Sequence, residues 1–302
     1  EAEVAARFGF EAAVLLPSGT QSNLIAVLSH CGRGDEVLVG RGYHVECAEA
    51  RGTSVLGGVA VEPLALREDH GIDPEVIAAA VKPDDVHCPV TRLLSLENSV
   101  GGRAVPLAVQ EAAMAEGRRH GLALHLDGAR VFNACVALGV APQEIADGFD
   151  SVSVCLSKGL GAPMGSVLAG SAPLIERARR WRKMLGGGMR QAGVIAAAGL
   201  HALDHQVDDL AEDHARAARL RDGLVGLSGL EVDRAPGQTN MVWLRFPAER
   251  ASALRDVLAR HGVTVSPGAG SLRMVLHRDV DDAGVEAALT GFRAFAEGAE
   301  AA

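Results

Sequence analysis

Gly121-Leu-Ala-Leu-His-Leu-Asp127, closed by Gly128-Ala129-Arg130, and Ser151-Val-Ser-Val-Cys-Leu-Ser157, closed by Lys158-Gly159-Leu160-Gly161, decide how this chain is read. Each is a short apolar-rich run that stops at a charge and then at glycine. Runs of about four to eight residues bounded by turn signals read as buried strands, here 122–126 and 151–156. Five more lie at 13–16, 36–39, 59–64, 92–96 and 167–169. Helical patterns fall between them at 21–30, 73–81, 106–120 and 174–185, and Asp73-Pro74 supplies an N-cap followed by proline at the first helical position. Strand–helix alternation of this kind predicts an α/β fold, a mostly parallel sheet covered on both faces. Ligands of such sheets sit beyond the carboxyl ends of the strands, so the residues that end strands are the candidates for chemistry.

The pattern changes near residue 208. A long charged helix over 209–227 is followed by strands at 231–233 and 241–246, a helix at 248–260, strands at 263–265 and 272–276, and a helix from Asp281. These elements predict a smaller α+β domain over 213–302 behind a large domain over 1–212. The continuous apolar run 194–200 reads as core. The chain opens on Glu1 with a helical pattern at 2–8, so a segment is expected to precede it.

Composition narrows the partners. With 302 residues, 48% of them hydrophobic and 22% charged, the chain can bury a full core. Aromatics supply only 3% and glycine 36 residues, which favours close helix–sheet packing over an aromatic binding surface. A formal net charge of −9 disfavours nucleic acid and anionic membranes, both of which need clustered cations. A few local arginines still suffice for an anionic substrate, because distant surface charges are screened. Cys31, Cys47, Cys88, Cys135 and Cys155 are scattered and odd in number, the pattern of reduced thiols in a cytoplasmic protein. No apolar run reaches membrane-spanning length.

Asp127 and Lys158 each end a buried run. A lysine amine beside a carboxylate is what pyridoxal 5'-phosphate (PLP) requires: the amine forms the imine, and the carboxylate keeps the pyridine nitrogen protonated so that the ring accepts electrons. Leu16-Pro-Ser-Gly-Thr-Gln-Ser-Asn23 leads from a strand into a helix, whose first N–H groups, with Ser18 and Thr20, suit a phosphate. Taken singly, each has an ordinary alternative: surface charges for the pair, a plain N-cap for the turn. Gly159-Leu-Gly161-Ala-Pro-Met-Gly165 is one residue too long for a dinucleotide fingerprint. His201 and His205 share a helix face without a third metal ligand, so no metal site is expected.

Taken together these segments resemble the low-specificity L-threonine aldolase family of fold-type-I (aspartate aminotransferase-like) PLP enzymes. The resemblance rests on 16–23, Leu124-His-Leu-Asp-Gly-Ala-Arg-Val-Phe-Asn-Ala134, Cys155-Leu-Ser-Lys-Gly-Leu-Gly-Ala-Pro-Met-Gly165 and Arg182-Lys-Met-Leu-Gly-Gly-Gly-Met-Arg-Gln191, and it covers nearly the whole chain. It implies that Gly19 and Thr20 bind the cofactor phosphate, that His44 stacks on the ring, that Asp127 holds the pyridine nitrogen and that Lys158 carries the Schiff base. Arg130 then lies near the ring hydroxyl and the substrate carboxylate, Lys183 and Arg190 reach a neighbouring subunit's phosphate, and Arg273 forks onto the α-carboxylate. A homodimer or homotetramer with active sites at the dimer interface follows.

The implied reaction is retro-aldol cleavage of β-hydroxy amino acids to glycine and an aldehyde. The base that takes the β-hydroxyl proton stays open between a water molecule and His44. Two departures stand out: a Ser-Asp-Thr segment near the family's start is absent, and Glu97-Asn98-Ser99-Val100-Gly101-Gly102 lacks the histidine that the family carries near the β-hydroxyl. Another PLP reaction on the same scaffold, β-elimination or racemisation, and a silent PLP-binding subunit therefore remain as competing readings.

Overall fold

The structure, a computed structural model, describes residues 1–300. It divides into two compact units, Glu1–Val100 with Ala104–Val207, and Gly101–Arg103 with the chain from Asp208 onward.

In the first unit the order is α1 (Ala2–Phe8), β1 (Ala12–Leu16), α2 (Gly19–His30), β2 (Asp35–Gly40), α3 (His44–Cys47), α4 (Gly52–Gly57), β3 (Ala60–Leu64), α5 (Pro74–Ala80), β4 (Val90–Glu97), α6 (Leu107–Arg119), β5 (Ala123–Gly128), α7 (Val131–Leu138), α8 (Pro142–Ala146), β6 (Ser151–Cys155), β7 (Ser166–Gly170), α9 (Ala172–Met184) and α10 (Gly193–His205). The seven strands form one sheet in the order β1-β7-β6-β5-β4-β2-β3. It is parallel except for β7, which runs antiparallel to both neighbours. All seven expected strands are present, with ends displaced by a residue or two.

Helix α2 organises this unit. Its residues from Ser22 to Ser29 are all buried, as befits a helix enclosed rather than lying on a surface. Ile25 and Ala26 pack with Val14, Leu16 and Leu168, while Val27 and Leu28 pack with Val37 and Val39. Trp181 of α9 donates its indole N–H to Leu28 O at 3.0 Å and pins the two helices together.

The second unit carries α11 (Leu210–Leu224), β8 (Glu231–Val232), β9 (Met241–Arg245), a 3₁₀ turn at Ala248–Arg250, α12 (Ala251–Arg260), β10 (Ser271–Val275) and α13 (Asp282–Glu300). Its strands form an antiparallel sheet in the order β10-β9-β8. Leu224, Val242, Leu254, Leu258, Phe292 and Phe295 form its core.

Three expectations need correction. Residues 263–265 form no strand: the Val263 N–H closes the end of α12 on Leu258 O at 3.0 Å, and the sheet stops at β10. The helix expected to reach Leu227 ends at Leu224, where Val225 turns extended and Gly226 takes φ 85°. The apolar run 194–200 is helical but not core, with Val194 74% and Leu200 45% exposed. An apolar helix reads alike in sequence whether its own chain covers it or leaves it facing outward.

Candidate active site

The central strands present two different faces. Leu94, Leu96, Leu124, Leu126, Val152 and Val154 alternate with Ser95, Glu97, His125, Asp127, Ser151 and Ser153. Register sets Ser95 and Glu97 beside His125 and Asp127, and these beside Ser151 and Ser153, so the second set shares one face. Strands buried on both sides ordinarily read apolar throughout. Here His125 and Ser151 are fully buried, and Asp127, Ser153 and Ser95 are each 1% exposed. A polar face sealed this thoroughly requires partners for every group.

Helix α2 supplies them for Ser151, Ser153, His125 and Asp127. Ser22 Oγ lies 2.7 Å from Ser153 Oγ, and His30 Nε2 lies 2.8 Å from Ser151 Oγ. At its first residue, a Cβ added to Gly19 would stand 2.6 Å from Cys155 Sγ. The missing side chain thus lets the helix start lie against the carboxyl end of β6. Ser18 caps the helix, its Oγ accepting from Gln21 N at 3.2 Å. Thr20 is exposed beside this cap.

Asp127 ends β5. Its Oδ1 accepts from Ala129 N at 3.0 Å and its Oδ2 from Asn23 Nδ2 at 2.7 Å. The same Asn23 amide donates to Glu49 Oε1 at 2.8 Å, and Glu49 Oε1 lies 2.7 Å from His44 Nδ1. His44 is half-buried at the start of α3, and its backbone N–H donates to Glu97 Oε2 at 2.7 Å. The chain just past Glu49 is strained: Ala50 and Arg51 take φ 51° and 56°, a left-handed conformation costing about 1–2 kcal/mol per non-glycine residue. Such strain clusters at working sites.

Charge follows from this packing. The hydrogen bond to Glu49 raises the His44 pKa, aided by the negative charges of Glu49 and Asp127 and opposed by Lys158. Burial raises Glu49, against the bonds from His44 and Asn23. Burial, then the charge of Asp127, pushes Glu97 up to about 8. Lys158, exposed three residues past β6, acts on both His44 and Glu97, so Asp127, Lys158 and His44 share one field.

His44, Glu49 and Asp127 bring one ligand atom each within 4.8 Å of one another. The Asn23 amide already donates to both carboxylates. The exposed rings of His201 and His205 lie 4.7 Å apart, tilted by 50°, on α10 and gather no third ligand among the described residues. Arg130 is half-buried at the start of α7, close enough to influence the Cys155 thiol. Lys183 and Arg190 are exposed on either side of the Gly186–Gly188 turn, which is tied to the α2 start by Gln21 Nε2 donating to Leu185 O at 3.2 Å. Arg273 is exposed on β10 of the other unit, 5.8 Å from the Trp243 ring.

Sequence reasoning missed Asn23, Glu49 and His125. His125 had a signal, because it stands two residues before Asp127 on the same strand face. Asn23 was hidden as a helix residue one turn past a cap. Glu49, in an irregular stretch, carried no pattern.

Residues 1–247 match the family model described as Beta-eliminating lyase. The low specificity L-threonine aldolase of Escherichia coli K12 is 44% identical over 287 residues, spanning 95% of this chain and 85% of that protein. This chain belongs to the beta-eliminating lyase family, among its threonine aldolases. Another member of the family, low-specificity L-threonine aldolase 1 of Arabidopsis thaliana, is 42% identical over 306 residues, covering 97% and 85% of the two chains. A solved structure from Exiguobacterium sp. 255-15, provisionally named an aromatic amino acid beta-eliminating lyase/threonine aldolase, superposes with a TM-score of 0.82 at 25% identity, covering 98% of this chain and 86% of that one. The family's α/β fold type I is the one expected from the sequence. Among the described residues no helix is long and apolar enough to cross a membrane.

Proposed function

We propose that this chain is a PLP-dependent aldehyde-lyase that cleaves L-threonine, L-allo-threonine and related β-hydroxy amino acids to glycine and an aldehyde. What carries the reading is one pairing in a chain of this family: an exposed amine, Lys158, past the end of β6, and a buried carboxylate, Asp127, on the adjacent strand β5, held by the Asn23 amide and the Ala129 N–H.

The residues present suit the cofactor. Gly19 leaves room for the α2 start at the carboxyl end of the sheet, where N–H groups that lack helical partners suit a phosphate. Asp127, fixed in direction, suits a protonated ring nitrogen, and the half-buried His44 imidazole suits a flat ring. When bound, PLP supplies the electron sink for the pair left behind as the Cα–Cβ bond breaks.

The protein's own groups do the rest in this proposal. Lys158 provides the amine that tethers the cofactor and yields its place to the substrate amine. Arg130 and Arg273 hold the substrate carboxylate on the family pattern. The bond to Glu49 occupies His44 Nδ1, which leaves Nε2 as the ring nitrogen able to take a proton. The same bond raises the His44 pKa, so the β-hydroxyl proton passes either to Nε2 or to a water molecule beside it.

Met184, Val194 and Leu200 are exposed large apolar side chains near Lys183 and Arg190 in sequence, which supports a covered surface here. A second copy covering it makes a homodimer or homotetramer, with Lys183 and Arg190 serving the neighbouring site. A cytoplasmic location fits five free thiols.

The test is product analysis with purified protein, PLP and L-threonine. Aldehyde and glycine in equal amounts are expected. Ammonia with a keto acid instead would move the chain to β-elimination, which the missing histidine in 97–102 keeps as the second reading.

A further inference from the structure

The polar face beneath α2 extends well beyond the groups assigned above. From His30, hydrogen bonds run without a break to Asp127. His30 Nε2 lies 2.8 Å from Ser151 Oγ, and Ser151 Oγ lies 2.8 Å from His125 Nδ1. His125 Nε2 faces Asn23 Oδ1 at 3.4 Å, with Ser153 Oγ at 3.5 Å as a second, weaker partner. Asn23 Nδ2 then reaches Asp127 Oδ2 and Glu49 Oε1.

The orientation of the Asn23 amide sets the direction of this path. Two carboxylate oxygens face the Asn23 amide nitrogen, so the NH₂ group points at them and Oδ1 points back at His125. An amide oxygen only accepts, so the bond to Asn23 Oδ1, the shorter of the two contacts, puts the hydrogen on His125 Nε2. Desolvation, followed by the nearby His30, depresses the His125 pKa to about 3, so the ring is neutral and Nδ1 is bare. Nδ1 therefore accepts the Ser151 hydroxyl proton. Having given its one proton, Ser151 accepts from His30 Nε2–H. Every donor points toward Asp127.

We infer that His30, Ser151, His125 and Asn23 form a one-way hydrogen-bond chain that positions the Asp127 carboxylate and strengthens its hold on the cofactor's ring nitrogen. Aligned bonds in a dry interior polarise one another, so the last donor in the row is stronger than an isolated amide. A carboxylate that accepts such bonds is held in one direction. Of these groups only Asn23 contacts Asp127. His125, Ser151 and His30 are positioning residues that act through it. The inference rests on the PLP reading, and its tests separate the two.

The first test needs no cofactor. In ¹⁵N-histidine spectra of the cofactor-free protein, His125 is expected as the neutral Nε2–H tautomer from pH 5 to pH 8. An Nδ1–H tautomer, or a charged ring, would overturn the one-way chain. The second test compares cofactor-free wild type with Ser151→Ala in affinity for PLP and for its 1-deaza analogue, which has carbon in place of the ring nitrogen. Breaking the chain at Ser151 should weaken PLP at least threefold and the analogue less than twofold. Equal loss for both would reduce Ser151 to a packing role and overturn the inference. Should Ser151→Ala fold poorly, His125→Gln, which keeps a donor toward Asn23, is expected to retain more of the PLP preference than His125→Phe, and equal ratios in the two would overturn it as well. A wild-type chain that binds neither compound would sink the proposed cofactor, while the histidine spectrum still decides the chain's direction.

Discussion

The ring of His44 meets Glu49 at 2.7 Å, Nδ1 to Oε1, and this bond is the largest cause of the raised His44 pKa. Replacing Glu49 with glutamine keeps a partner but removes the charge. The His44 titration midpoint, read from its Cε1 proton by NMR, is expected to fall in Glu49→Gln. The sign for stability follows. A histidine whose folded pKa is raised contributes fully below the unfolded value, and that contribution fades as pH rises through the folded one. Glu49→Gln should flatten this part of the stability profile. An unmoved midpoint would show that some other group sets the His44 charge.

Glu97 gives the opposite-looking case with the same rule. Burial and Asp127 raise it from 4.5 to about 8, so the folded state binds its proton more tightly than the unfolded chain. Stability from this group is complete below about pH 4.5 and is lost as pH climbs toward 8. Glu97→Gln mimics the protonated form at every pH, and its side-chain oxygen still accepts from His44 N. In the cofactor-free protein it should match wild type near pH 5. At pH 9 it should melt higher by roughly 3–6 °C, or about 1.5 kcal/mol. Equal melting temperatures at pH 9 would place the Glu97 charge in a better-solvated setting than its packing implies.

The start of α2 can be tested through the one contact that glycine permits. Gly19→Ala puts a methyl 2.6 Å from Cys155 Sγ, and Cys155 is buried, so one of the two must give. Overpacking of this sort costs about 1–3 kcal/mol. Cys155→Ala vacates the space, so the double variant should be more stable than the sum of the two single losses by at least ~1 kcal/mol. Urea titration of the three variants measures this coupling. Simple additivity would mean that the helix start does not rest on β6.

How much of this was readable beforehand differs from group to group. Asp127 and Lys158 were legible because a charge that ends an apolar run is a strand-end signal. The register of β5 on β6 then brings the ends of their strands together. Glu49 was not legible, since a loop residue acquires its partner only through backbone geometry such as the left-handed turn at Ala50 and Arg51. The outward-facing run 194–200 misled for a physical reason. Hydrophobicity says that a surface avoids water and says nothing about which molecule covers it. His125 is the instructive case, because its alternation with Leu124 and Leu126 marks a polar face inside a buried sheet.

Lys158 is exposed, so Lys158→Ala should leave the fold intact and change stability by less than ~0.5 kcal/mol. The visible absorbance that cofactor binding gives the wild type should vanish. So should the product that borohydride traps irreversibly on the protein. A variant that still yields a borohydride-trapped cofactor adduct would move the tether to another lysine, and Lys183 is the candidate to examine next.

Selectivity at the substrate β-carbon is the sharpest consequence of the 97–102 segment. Threonine and allo-threonine differ only in which way the β-hydroxyl and methyl point, so contacts to the phosphate and the α-carboxylate are common to both. Discrimination must come from a group beside the β-carbon. Asn98-Ser99-Val100-Gly101-Gly102 offers no imidazole, and the Asn98 side chain is already spent: its Nδ2 donates to Val105 O at 3.0 Å and its Oδ1 accepts from Val105 N at 3.1 Å. A single neutral hydrogen bond to the hydroxyl is worth ~0.5–1.5 kcal/mol, or roughly two- to twelvefold in rate. Both epimers are therefore expected to be cleaved, with kcat/KM values within about a factor of ten, measured side by side through aldehyde release. A preference above about a hundredfold, some 2.7 kcal/mol, requires a dedicated contact to the β-hydroxyl. In that outcome His44 Nε2 is the first group to substitute, because it is the ring nitrogen in this cluster that the bond to Glu49 leaves open.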